Sequence, residues 1–423
     1  MKVLWFTNTP CGATEKLTGE KVTGGGWLYA LSEAVTAKTD IDLHIAFYWG
    51  AEMSPFEYNG ISYHPILRKG FNSKAGRYVY RLKQQFSSLL DQEETRRVIA
   101  VIKQICPDIV HFHGSEENFG LAAEIIQDTN MVLSIQGMLS PYYYKLYSGY
   151  PKSFLLRHEK FLPKILADGI RALDRKMRIR AGREVVIYKY VSNIIGRTSW
   201  DMECSLALNK NRRYFICNEI LRPEFAASVW RKNNHGKRIV LVTTISHGLY
   251  KGLEMIHKTA QLLIQQQIDF EWKVIGVKSS DKIAQFTQKL THIKPEQAHI
   301  TLLGSKNASE IIYICKGSDI YVQVSHIENS PNALCEAMQL GMPIIASFAG
   351  GTGSMLKDGE EGVLVQDGDP FRLAGAIINM GQNFDQAVSM GRSARARALK
   401  RHNPETVVSE LISIYHTICN NRS

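Results

Sequence analysis

The sequence predicts an α/β protein built as two doubly wound, parallel-sheet domains facing a cleft. Three observations predict it. The chain has 423 residues, more than one ordinary core holds at about 100 to 200 residues per domain. Short apolar runs alternate with helix-length segments in both halves, as in βαβ units. The alternation breaks once, at the polar, turn-forming string 231–237, where a linker belongs.

In the first half, the runs 3–6, 43–48, 109–112 and 132–135 predict buried strands. In the second, strands are expected at 238–243, 272–276, 300–303, 320–324, 343–346 and 362–365, with helices at 253–265, 282–290, 308–315, 332–340 and from 370 onward. Residues 404–418 begin with Pro404 and carry Val407, Val408, Leu411, Ile414 and Tyr415 at helical spacing. The division is therefore 1–230, 231–403 and a closing helix, 404–423, able to pack on either domain.

Hydrophobic residues make up 44% and charged residues 22%, which excludes wholesale disorder and a multi-spanning membrane protein. The apolar opening Val3, Leu4, Trp5, Phe6 gives way at once to Thr7, Asn8 and Thr9. That is too short for a signal-peptide core, so a cytoplasmic location is expected. The seven cysteines are scattered, with no CxxC pair, against a disulfide framework or zinc site.

The balance is basic, 51 Lys and Arg against 40 Asp and Glu. Two stretches carry much of it: 68–83, with Arg68, Lys69, Lys74, Arg77, Arg81 and Lys83, and 152–183, where ten cations from Lys152 to Arg183 sit among apolar residues. They read either as solvated helical faces or as docking faces for an anionic membrane surface, which makes the protein peripheral on its inner face. Nucleic acid is not expected, because no recognition motif or regular aromatic interleaving accompanies the charge.

Residues 326–347 carry the most chemistry. Glu328 follows the strand 320–324, Ser330 and Pro331 stand at a helix start, and Glu336 lies eight residues after the first glutamate. Pro suits the first helical turn, and the N–H groups of Asn332, Ala333 and Leu334 are expected to point outward with the positive helix end behind them, a seat for a diphosphate. Glu336 falls where a carboxylate can accept ribose hydroxyls. Asp367, Gly368 and Asp369 have metal-binding DxD spacing, but a turn and helix cap explain them, and no metal or other cofactor is expected.

This stretch resembles the E-x7-E signature of the family 4 retaining glycosyltransferases, which have the GT-B fold of two Rossmann-like domains. The likeness continues through Gly350, Gly351 and the run 357–365. It implies a metal-independent transfer of a sugar, with retention, from a nucleotide diphosphate donor to a glycan or lipid-linked glycan. By the resemblance Glu328 contacts the donor sugar and stabilises the transition state, Glu336 holds the ribose, and Lys251 neutralises the leaving diphosphate. Ser246 stands near the place where the family usually has an arginine, so Lys251 and backbone N–H groups, or an arginine elsewhere, must serve.

In the first half, Gly24, Gly25 and Gly26 before Trp27 resemble the family's glycine-rich loop. His113 ends a strand like the family's cleft histidine and is the third catalytic candidate, with a buried, structurally bonded histidine as the alternative. Gln136 replaces a usual histidine on the acceptor side; it can hydrogen-bond but cannot act as a base. The segments 196–201 and 218–222 resemble a branch that builds surface polysaccharides. The rival readings are a nucleotide-sugar epimerase and a non-catalytic nucleotide-sugar-binding protein of the same fold.

Overall fold

The structure, a computed structural model, describes residues 1–19, 26–68, 74–84, 88–160 and 169–420. It divides into two compact units. The first comprises Met1–Tyr143, Glu159–Ile220 and Asn403–Ser423, and the second Tyr144–His158 and Leu221–His402. The units interleave along the chain, whereas the alternation and its polar break at 231–237 lead to the expected division 1–230, 231–403 and 404–423.

Among the described residues the first unit holds eight strands: β1 (Lys2–Phe6), β2 (Asp42–Trp49), β3 (Phe56–Tyr58), β4 (Ile61–Leu67), β5 (Ile109–His113), β6 (Asn130–Ser134), β7 (Asn193–Gly196) and β8 (Arg213–Ile216). Their order is β3-β4-β2-β1-β5-β6-β7-β8, and only the β3/β4 pair is antiparallel. Along β1, Val3 and Trp5 enter one core while Leu4 and Phe6 enter the other, because successive side chains of a strand face opposite ways. Both faces of the sheet are thus buried, as a doubly wound fold requires.

The closing helix, Pro404–Asn420, packs on this unit. Asn403 accepts the N–H groups of Glu405 and Thr406, both at 3.0 Å, capping the helix start. Its stripe Val407, Leu411, Ile414 and Tyr415 joins the core containing Val3 and Trp5. The Tyr415 hydroxyl bonds His111 Nδ1 at 2.6 Å and accepts from Trp5 Nε1 at 2.9 Å.

The second unit contains β9 (Ile239–Thr244), β10 (Phe270–Ile275), β11 (Ile300–Gly304), β12 (Ile320–Gln323), β13 (Ile344–Phe348) and β14 (Val363–Gln366). All are parallel, in the order β11-β10-β9-β12-β13-β14. Counted from β9, that order is the doubly wound 3-2-1-4-5-6, and the sequence reverses direction between β9 and β12. Ligands of such sheets bind beyond the carboxyl ends of the strands at this reversal. The loops that leave β9 and β12 are therefore where chemistry is to be sought.

Among the described residues, no helix is long and apolar enough to cross a membrane. The seven cysteines are free thiols.

Candidate active site

In the second unit, the loop after β9 turns through a short 3-10 segment, Leu249–Lys251. The loop after β12 runs from Val324 to the helix Asn332–Leu340. The backbone N–H of His326 donates to the carbonyl of Tyr250 at 2.8 Å, tying the two loops together. Lys251 Nζ then donates to Glu328 Oε1 at 2.6 Å. The two side chains are only 19% and 11% exposed, so each needs the other's charge. Burial alone would lower the Lys251 ammonium's pKa, but Glu328 outweighs it and holds the group above its ordinary value.

Gly350 explains part of the glycine pair after β13. Its φ is +57°, and an added Cβ would lie 2.0 Å from the carbonyl oxygen of Glu328. The next residue, Gly351, donates its N–H to that same oxygen at 2.8 Å. The pair grips the backbone of Glu328.

At the helix entry, Pro331 is the cap residue and has no N–H to offer. Among the described residues, none accepts from the N–H groups of Asn332 and Ala333, which stay open as a helix N-terminus leaves them. Leu334 differs from expectation: its N–H already bonds the Pro331 carbonyl at 3.0 Å, a tightened first turn. The Ser330 hydroxyl lies 3.5 Å from the Met355 sulfur. Ser246, in the loop after β9, is exposed.

Glu336 is also not an open carboxylate. Arg222 grips it from Nε and Nη2 at 2.6 and 2.7 Å. The physical reason is burial: the Glu336 side chain is 8% exposed, and burial raises its carboxyl pKa, opposed by Arg222. Arg222 lies 114 residues away along the chain, and sequence reasoning gave it no chemistry. Asp369 caps the next helix, Pro370–Gln382, by accepting the Arg372 N–H at 2.9 Å. Asp367 does more than make a turn: it pairs with His326 and Lys145.

The first unit gathers its own candidates at the carboxyl end of β5, which lies beside β1 where that sheet's order reverses. His113 is buried, with its ring 3.8 Å from that of His111 and edge-on to Trp5 at 4.6 Å and Trp27 at 5.9 Å. Unlike a structurally bonded histidine, it has no partner among the described residues at either ring nitrogen. Burial first, then His111 and Arg197, push its pKa well below the ordinary value. The ring is therefore neutral near pH 7, able to give or take a hydrogen bond but not to serve as a cation.

Gly26 begins the helix Gly26–Lys38, while Gly24 and Gly25 lie outside the described residues. Gln136, half-buried, stands two residues beyond β6 near Gly114. Arg197 and Glu219 were not assigned chemistry from sequence; Arg197 pairs with Glu219 at 3.0 Å and lies 4.9 Å over the Trp27 ring.

The basic stretches are not uniform outward faces. Arg68 is buried, bonded to both Glu94 and Glu117 and stacked 3.5 Å over Tyr48. Arg183 pairs with Asp91 at 2.9 Å, and Arg180 donates to the Glu116 carbonyl at 3.0 and 2.8 Å. These three side chains line a cavity of about 220 Å³. Arg171, Arg175, Lys176 and Arg178 are exposed, as are Lys152, Arg157 and Lys160. Lys69 and Lys164, and the side chains of Lys74, Arg77 and Arg81, lie outside the described residues. Also among the described residues, no cluster of His, Cys, Asp and Glu has the makings of a metal site.

Two parallel-sheet α/β units with their candidate residues at the strand carboxyl ends define a protein of the GT-B fold. The likeness spans nearly all of the chain in the structure of Anabaena HepE in complex with UDP and glucose: TM-score 0.62, 13% identity, 98% of each chain covered. Residues 226–397 match the family described as glycosyl transferases group 1. Among curated relatives, an uncharacterized glycosyltransferase of Methanocaldococcus jannaschii is 28% identical over 174 residues, 40% of this chain and 48% of that protein. The amylovoran biosynthesis glycosyltransferase of Erwinia amylovora is 28% identical over 170 residues, 39% of this chain and 41% of that one. The chain spans under half the length of these relatives.

Proposed function

We propose that the protein is a retaining glycosyltransferase of the family 4 type, moving a sugar from a nucleoside diphosphate donor to a glycan or lipid-linked glycan in surface-polysaccharide synthesis. The observation that carries this reading is the buried Lys251–Glu328 pair, 2.6 Å apart, at the strand-order reversal of the second sheet and on the loop that leads to the open N–H groups of Asn332 and Ala333. Cation, carboxylate and helix N-terminus are the parts needed to hold a diphosphate and a sugar at once.

In this reading the diphosphate meets the N–H groups and the Lys251 ammonium, which stabilises the charge that develops as the glycosidic bond to phosphate breaks. Glu328, released from Lys251, faces the sugar and steadies its positive charge. With Gln136 unable to act as a base, the acceptor proton passes to the departing phosphate. The reaction needs no metal. Uridine diphosphate is the first donor base to try, because the HepE structure holds UDP, and the polysaccharide role draws on the amylovoran relative. Membrane docking falls to the exposed cations Arg171, Arg175, Lys176 and Arg178 of the first unit.

A second reading, a nucleotide-sugar-binding protein without turnover, is favoured by the exposed Ser246 and by Gln136 at positions where the resembled family carries Arg and His. A thermal-shift screen with UDP, GDP, ADP, CMP and their sugar conjugates separates the readings when joined to a turnover assay. A ligand at a hundred times its Kd adds about 2.7 kcal/mol. The transferase reading expects one diphosphate to stabilise the wild type, Lys251→Ala to lose that shift, and Glu328→Gln to cut transfer about 100-fold or more. No binding at millimolar concentration would sink both readings, and binding without transfer to any glycan would leave the second.

A further inference from the structure

A buried histidine near the candidate site has no part in the chemistry proposed above. His326 sits two residues before Glu328, and its side chain is 5% exposed. Nδ1 bonds Asp367 Oδ1 at 2.6 Å and Nε2 bonds Glu254 Oε1 at 2.8 Å. A carboxylate on each ring nitrogen requires a proton on each, so the ring is an imidazolium. Burial alone would disfavour that charge, yet the two carboxylates outweigh it and raise the pKa to about 9.

Each carboxylate carries the connection further. Asp367, after β14, accepts Lys145 Nζ at 3.0 Å. Glu254, near the start of the helix Leu253–Gln265, is fully buried and lies against Gly149, where φ is +80° and an added Cβ would come within 2.0 Å of Oε1. The neighbouring Tyr150 hydroxyl bonds Thr287 Oγ1 at 2.5 Å. Residues 144–158 are the part of the second unit that is separate in sequence from the rest of it, and these contacts hold them. The backbone N–H of His326 reaches the Tyr250 carbonyl, one residue before Lys251.

We infer that His326 is a positioning residue: bonded to Glu254 and Asp367, it fixes the loop of Glu328 and the turn of Lys251 against the 144–150 segment, so that the site is built to one geometry. A charged ring at this point donates to a carboxylate from each nitrogen and so holds the two in register, which a neutral imidazole, with its single N–H, cannot do. Its effect on turnover rests on the transferase reading; its effect on local order does not.

The test is hydrogen exchange on the full chain without ligand, followed by UDP-glucose turnover. In His326→Gln, amides in 144–158 and 325–328 are expected to exchange at least about tenfold faster, with those of β9 unchanged. For UDP-glucose, kcat is expected to fall about tenfold or more while KM moves less than about threefold, the split of an interaction made mainly in the transition state. Unchanged exchange in both segments, or an unchanged kcat, overturns the inference. If His326→Gln fails to fold, Lys145→Ala removes one outer contact from a side chain 46% exposed; faster exchange in 144–158 alone supports the inference and no change overturns it. A wild type that does not turn over UDP-glucose counts against the donor reading, while the exchange comparison, which needs no substrate, still decides the role of His326.

Discussion

Arg222→Ala isolates the ion pair that covers Glu336. Arg222 makes two charge-assisted bonds, at 2.6 and 2.7 Å, to a carboxylate whose side chain is 8% exposed. Removing one member of a buried pair costs about 3 to 5 kcal/mol because the other charge is left without compensation. Arg222 is itself 29% exposed, so water can enter the space it leaves, and the loss should fall to about 2 to 3 kcal/mol. The pH dependence gives a sharper test. Burial already raises the Glu336 carboxyl, with Arg222 pulling the other way, and without Arg222 it rises further.

A carboxyl group with a raised folded pKa binds protons more tightly folded than unfolded. Stability is then greatest below the unfolded value, about 4.3, and falls as pH climbs through the folded one. The deficit of Arg222→Ala relative to wild type should therefore be small near pH 5 and larger at pH 8, by about 1.4 kcal/mol for each unit of additional shift. Urea unfolding of the full chain from pH 5 to 8 measures it, and Glu336→Gln in the same background should flatten the profile. A deficit under about 0.5 kcal/mol at pH 8, or one equal at both ends of the range, would refute the reasoning.

Two further outcomes follow from buried groups elsewhere. His326, with its pKa raised to about 9, faces Glu254, on which Tyr150 packs, and Asp367, which also holds Lys145, with the Lys251–Glu328 pair on the adjoining loops. Its charge should contribute roughly 3 kcal/mol that is fully present below about pH 6.5 and lost as pH rises through the folded value; the stability gap between wild type and His326→Gln should close between pH 7 and 10, and a constant gap would contradict it. Tyr415→Phe leaves His111 Nδ1 and Trp5 Nε1 without the hydroxyl they share, at a cost of about 2 to 3 kcal/mol in urea unfolding; a loss under about 0.5 kcal/mol would mean both groups find other partners.

What could be read ahead of the structure follows the range of the interactions involved. All six strands of the second sheet were predicted, because a parallel strand buried on both faces is a short apolar run between turn signals. In the first sheet β3, β4, β7 and β8 were not. β4 alternates along ISYHPIL and includes Pro65, and β7 is four residues, NIIG, too short for a period to show. The same distinction applies to the site. Glu328 and the helix start at Pro331 belong to one local strand, turn and helix, so the sequence pattern exposes them. Arg222 with Glu336, His326 with Glu254, and Arg68 with Glu94 lie 114, 72 and 26 residues apart, and no local period encodes such pairs.

The basic stretches make the point with charge. Along the chain, Arg175 and Arg183 are equivalent cations at helical spacing, but in the fold Arg175 is exposed while Arg183 turns inward to Asp91. Counting cations therefore overstates the face available to an anionic surface, and Arg68, Arg180 and Arg183 must be subtracted from it. Arg68, buried, and Arg180 and Arg183, half-buried, hold carboxylates and a backbone carbonyl in place around the 220 Å³ cavity. A burial penalty of several kcal/mol per unpaired ion keeps them there, so neutralising them should disturb the first unit's fold before it touches any membrane contact.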